Sequence, residues 1–122
     1  MERPQETSTT GDARLVISNA LVGLYRKRYG RGPTQAKTYI VDDLVVCVMR
    51  GGGIPIERTL MDGGHGELVA EVRQAFQADE AGAFVDVVEE ATGRKVQNFL
   101  SKHDPVDEVS VEVFILEPRR EE

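Results

Sequence analysis

The sequence predicts an α+β fold, a four-stranded antiparallel sheet layered with helices. Apolar residues recur at helical spacing over 12–29 and 67–91, and β-branched runs gather at 36–49 and 95–116. A helix followed by a strand, an acidic turn and a strand occurs twice, giving two αββ-like halves in the order α-β-β-α-α-β-β. Residues 12–117 form one expected domain, a length that buries enough surface to fold without a metal or disulfide. Residues 1–11 carry no apolar period and read as a disordered tail; 118–122 read as a charged one.

Asp12 is placed as the N-cap of the first helix, which runs to about Tyr29. Ile17, Ala20, Leu21 and Leu24 stripe one face, and Leu15, Val16 and Tyr25 widen the stripe. Gly30 sits where a left-handed residue ends a helix, and Gly32-Pro33 forbids continuation. Ala36–Val41, Asp42-Asp43 and Leu44–Met49 then form a hairpin. Six successive apolar residues in Leu44–Met49 call for cover on both faces, or on one face plus a subunit interface. Cys47, within that strand, reads as a small buried hydrophobe.

Gly51-Gly52-Gly53 leaves the sheet, and Pro55 opens a short helix ending at Leu60 or Met61. After Gly63–Gly66, Glu67 begins a long helix with Leu68, Val72 and Phe76 on its expected inner face and Val69 and Ala75 beside them. Ala83, Phe84, Val87, Val88 and Ala91 continue the spacing, with Gln77–Glu80 and Gly82 as the point of interruption or kinking. Lys95–Ser101 and Val109–Leu116 form a second hairpin around Asp104–Asp107. In the last strand Val109, Val111, Val113 and Ile115 point one way and Ser110 and Glu112 the other, which predicts one wet face. An apolar sheet edge beside Leu44–Met49 would invite pairing with another chain, so a homodimer or larger homo-oligomer is expected.

No apolar run approaches the ~20 residues that span a bilayer, and the polar start shows no signal-peptide pattern, so a cytoplasmic location is expected. The net charge of −6 argues against a general nucleic-acid coat. It hides an asymmetry. Residues 13–41 contain no acid and six bases, leaving −12 on the remainder. Arg26, Lys27, Arg28, Arg31 and Lys37, with Thr34 in the intervening loop, are therefore the candidate contact for an acidic partner or phospholipid headgroups. The structural alternative is a solvated helix end whose cations oppose the dipole.

Catalytic patterns are scarce, and no enzyme activity, metal or cofactor is expected. His65 and His103 lie far apart in turns, and the serines lack nucleophile-elbow glycines. Asp42-Asp43, Glu89-Glu90 and Asp107-Glu108 are sequence neighbours whose side chains point apart. Two glycine segments invite an anion reading: Gly51–Gly53 before a helix, and the loop Gly30–Thr34. A third, Gly63-Gly64-His65-Gly66, is a Gly-x-x-Gly between helices, resembling the backbone-clamping loop of KH domains. A nucleic-acid- or nucleotide-binding module is thus the alternative, although Asp62 and Glu67 flank the loop and no cation lies in it.

Longer stretches point to one family. Ile17–Tyr25, Tyr29–Ile40 and Asp42–Val46, followed by Glu57–Leu60, Gly64–Phe76, Glu90–Val96 and Val111–Phe114, together resemble the small MpsC-like family, over roughly Ala13–Glu117. The family name refers to a Na+-translocating, membrane-potential-generating system. The resemblance implies a non-enzymatic accessory component of a membrane ion-transport assembly, peripheral to the inner face of the cell membrane and not itself a transporter. It brings no catalytic residues. Members often have a threonine N-cap before the proline of the short helix, where this chain has Ile54; losing such a cap costs ~1 kcal/mol.

Overall fold

A computed structural model describes residues 4–119. The elements are α1 (Pro4–Tyr29), β1 (Gln35–Val41), β2 (Leu44–Arg50), α2 (Pro55–Asp62), α3 (Gly66–Thr92), β3 (Val96–Asp104) and β4 (Val109–Leu116). The expected order holds. The start of α1 differs: the helix begins at Pro4, upstream of the expected cap at Asp12 and inside the stretch expected as a tail. Proline suits a first helical position because it has no N–H to satisfy there and its φ is already helical. Extending an existing helix costs far less than nucleating one. Residues 1–3 and 120–122, the outer parts of the two expected tails, lie outside the described residues.

α3 also differs, running unbroken through Gln77–Glu80 and Gly82. One helical glycine costs ~1 kcal/mol, and the burial of Val69 before it and Phe84 and Val88 after it exceeds that. Gly30 takes φ +79° and its N–H returns to the Arg26 carbonyl, ending α1 as expected.

All strand pairs are antiparallel, in the order β1-β2-β4-β3. β2 and β4 are central, paired from Leu44 opposite Ile115 to Arg50 opposite Val109. The two hairpins are therefore related by an approximate two-fold through the middle of the sheet, as the repeated halves foreshadow. The expectation of an apolar edge beside Leu44–Met49 is corrected. That edge is β1, which turns Gln35, Lys37, Tyr39 and Val41 outward. Within the sheet, the exposed apolar residues Tyr39, Val41, Leu44 and Leu100 share one face.

One face packs under α1 and α3. Ile17, Leu21 and Tyr25 of α1 meet Val45, Cys47 and Met49 of β2, Phe84 and Val88 of α3, and Phe114 and Leu116 of β4. Phe99 of β3 stacks on Phe114 at 4.8 Å between ring centroids. Ser110 and Glu112 share the parity of Phe114 and Leu116, so they too lie beneath the helices, Glu112 fully buried. The wet-face expectation for these two is thereby inverted: the valines occupy the uncovered side. Parity along a strand separates two faces but does not say which one receives the helices.

Candidate functional site: an ionisable network beneath the helices

A polar row crosses the covered face. Thr38, Cys47, Glu112 and Ser101 are successive partners on β1, β2, β4 and β3. α3 lays its own polar residues over the second half of this row. Val69, Arg73 and Gln77 recur every four residues and are buried, whereas Leu68, Val72 and Phe76 are about two-fifths exposed. The expected inner face of this half-helix is thus rotated by one residue. The reason is pairing: Arg73 donates from Nε and Nη2 to Glu57 of α2, at 2.6 and 2.8 Å, and its guanidinium lies 4.0 Å from the Tyr29 ring centroid. A forked, stacked guanidinium of this kind tolerates burial that a lone charge does not. Val72 and Phe76 contribute no such partner-specific bonds.

Beneath Arg73, Gln77 Nε2 donates to Tyr25 Oη at 2.6 Å. Tyr25 Oη lies 3.0 Å from Ser110 Oγ and 3.2 Å from Glu112 Oε2, and His103 Nδ1 lies 2.7 Å from the same Ser110 Oγ. Among the described residues, three buried oxygens have no hydrogen-bond partner: Gln77 Oε1, Ser101 Oγ and Glu112 Oε1. A buried carboxylate oxygen without a donor is costly, and a proton on the carboxyl removes that cost.

The electrostatics follow from this enclosure. Burial pushes the Glu112 carboxyl up to about 7, against the pull of its hydrogen bonds and of Arg73. Burial, followed by the Arg73 charge, pushes His103 down to about 4, so its imidazole is neutral. Burial and the adjacent Glu112 raise the Tyr25 phenol. Burial opposes the Arg73 charge, but Glu57 outweighs it and holds the guanidinium ionised. Burial also raises the Cys47 thiol, which suits the small-hydrophobe reading. The network can therefore gain or lose one proton at Glu112 near neutrality.

The cations singled out in the sequence divide between surfaces. Arg26, Lys27 and Arg28 are exposed on the last turn of α1, and Arg28 pairs with Glu80 at 2.7 Å. Arg26 folds against Gly32, its Nε 3.3 Å from where a Cβ would stand, next to exposed Arg31. Lys37 is separated from them, lying on the uncovered sheet face with Nζ 5.5 Å from the Tyr39 ring centroid. Thr34 is a structural residue: its N–H and Oγ1 both donate to the Arg50 carbonyl.

The glycine segments are engaged within the fold. Gly53 N–H donates to Glu108 Oε1 at 3.3 Å, so a carboxylate of the chain itself occupies the anion position before α2. Gly52 takes φ +78°, and a Cβ there would lie 2.6 Å from the Gly32 carbonyl oxygen, welding this segment to the Gly30–Thr34 loop. Gly63, Gly64, His65 and Gly66 do lie between α2 and α3 as expected. The N–H groups of Gly63, Gly64 and His65 close α2 by donating to Thr59, Met61 and Leu60, so these donors are not free for a phosphate.

No sequence motif marks Tyr25, Arg73, Gln77, Ser110 and Glu112 as a site. Two signals bear on them. Arg73 and Gln77 continue a four-residue stripe from Val69, and Glu112 shares strand parity with Phe114 and Leu116.

Fold and network together define a two-layer α+β domain with a buried carboxyl, Glu112, at its centre. Over residues 9–118 the chain matches the family described as Na+-translocating membrane potential-generating system (MpsC), and it belongs to that family. This is not a known enzyme family. No curated protein and no solved structure gives a significant match. Among the described residues no helix is long and apolar enough to cross a membrane.

Proposed function

We propose that this protein is a non-enzymatic accessory component of a Na+-translocating, membrane-potential-generating system, acting from the cytoplasmic side by docking onto an acidic protein surface of that assembly. The family description supports the association. One comparison within the chain supports the docking. Arg31 and Arg94 each follow the glycine that ends a long helix. Arg94 is consumed internally, donating to the Asp42 and Glu117 carbonyls and to Asp43 Oδ1. Arg31 is exposed beside Arg26 and Lys27, and none of the three has an acidic partner among the described residues. Cations left unpaired at one end of an acidic chain favour encounter with an acidic protein patch.

Capture from native membranes, with bound proteins identified by mass spectrometry, tests this reading. Subunits of a cation-transport assembly are expected with the unaltered chain and lost with Arg26→Glu/Arg31→Glu. Capture that survives the double reversal rejects the docking surface. Flotation with phosphatidylglycerol vesicles, sensitive to the same reversal, replaces the protein partner with lipid.

A further inference from the structure

Among the described residues, the face of the sheet turned away from α1 and α3 is apolar at its centre. Its rows run Val41, Leu44, Ile115, Asn98; Tyr39, Val46, Val113, Leu100; and Val48, Val111 between Lys37 and Lys102. Leu100 and Val41 are 57% and 59% exposed, and Tyr39 and Leu44 about half that of a free side chain or somewhat less. Four strands ~4.8 Å apart and seven residues at ~3.3 Å each make a face of roughly 400 Å² in projection. A patch of this order matches the largest apolar patch of a typical monomer, the kind that is often functional.

We propose that this face packs on the same face of a second copy, forming a two-fold dimer as a sandwich of two sheets. Three features select a second copy. The patch is apolar at its centre, so two copies meet there without bringing a charge to the middle of the contact. Two copies cover roughly 800 Å² in projection, and side-chain corrugation raises the accessible area buried toward the ~1,000 Å² a specific interface needs. The charges also permit it. Lys37 and Lys102 stand at opposite edges of one row, with Arg50 and Asp104 in the row beyond. A two-fold axis running across the strands carries each lysine over an apolar row of the partner and keeps the two lysines apart. Sheets so stacked lie ~10 Å apart, and the isologous contact is closed, which stops growth at two. The pairing uses the face of β2 and β4, not an edge, and it leaves the cationic end of α1 free.

Light scattering and sedimentation equilibrium on the full chain test it. A particle of twice the 13.5 kDa chain mass is expected at micromolar concentration. Val113→Asp places an unpaired carboxylate at the centre of the contact and is expected to weaken association about 100-fold. Leu100→Lys, on the edge strand, is a milder second variant that should weaken it while leaving circular dichroism unchanged. A monomeric unaltered chain overturns the proposal, as does a dimer whose constant neither substitution moves. Loss of partner capture with the dimer intact would strike the docking reading alone.

Discussion

Cys47 and Glu112 face each other across the centre of the sheet, at equivalent positions of the two halves, and both are fully buried. Their surroundings diverge. In the first half, Thr38 stands beside Cys47, and its hydroxyl pairs with Ser18 of α1 at 2.7 Å. That polar pair is closed. In the second half, Ser101 stands beside Glu112, and three oxygens of the enclosure lack partners. The same scaffold thus holds a sealed layer on one side and an ionisable one on the other. Substituting one carboxylate for a thiol at a symmetric position makes the difference, because enclosure that is harmless to a small hydrophobe shifts an acid by more than two pH units.

The strongest way to break the second half is through its ionic anchor. Glu57→Gln leaves the Arg73 guanidinium, only 3% exposed, without its counter-charge. A loss of about 3 kcal/mol or more is expected in urea unfolding, since removing one partner strands the other. Next comes titration. Glu112 holds its proton in the folded chain up to about pH 7 but releases it near 4.5 when unfolded. Its contribution is complete below about 4.5 and is lost as pH rises to 7, a change on the order of 3 kcal/mol. His103 runs the other way. Folded, it stays neutral down to about 4, so its contribution is full above 6.5 and is lost as pH falls. The two slopes oppose each other over pH 4.5–6.5. Glu112→Cys, which copies the first half, should leave stability rising with pH in that window, and His103→Asn should leave it falling. Melts across the range read the sign directly; flat profiles in both variants would mean that neither group is shifted.

Smaller effects sharpen the contrast between the helix-ending arginines. Arg94→Ala removes three hydrogen bonds that tie the β1–β2 turn to the end of β4, and a loss of about 2 kcal/mol is expected. Arg31→Ala should leave the melting temperature where it is. Ser18→Ala, in the sealed half, unpairs Thr38 and should cost about 1 kcal/mol by the same measurement. If that substitution proved more disruptive than Glu57→Gln, the two halves would have to be ranked the other way.

Much of the architecture was legible in the chain. The acidic turn at Asp42-Asp43, the stop at Gly30 and the proline opening α2 are local signals, and each lies where it was expected. The basic segment was legible as composition, but its division was not. Lys37 leaves Arg26 and Arg31 because strand parity turns it to the uncovered face, and Arg28 is taken by Glu80 from a helix fifty residues away. The network was hidden for a similar reason. Leu68, Val72 and Phe76 form as good an apolar stripe as any core helix offers, and only the presence of Glu57 and Tyr29 makes Arg73 the better residue to bury.

What the sequence by itself determined is the order of the elements, their turns and the separation of each strand into two kinds of side chain, because these follow from chain-local geometry and from the periods of helix and strand. Tertiary structure alone decided the β1-β2-β4-β3 order, which kind of side chain lies under the helices, and that Glu112 titrates near neutrality. Those outcomes depend on which distant groups share an enclosure. Desolvation and pairing are properties of that shared space, and no single segment carries them.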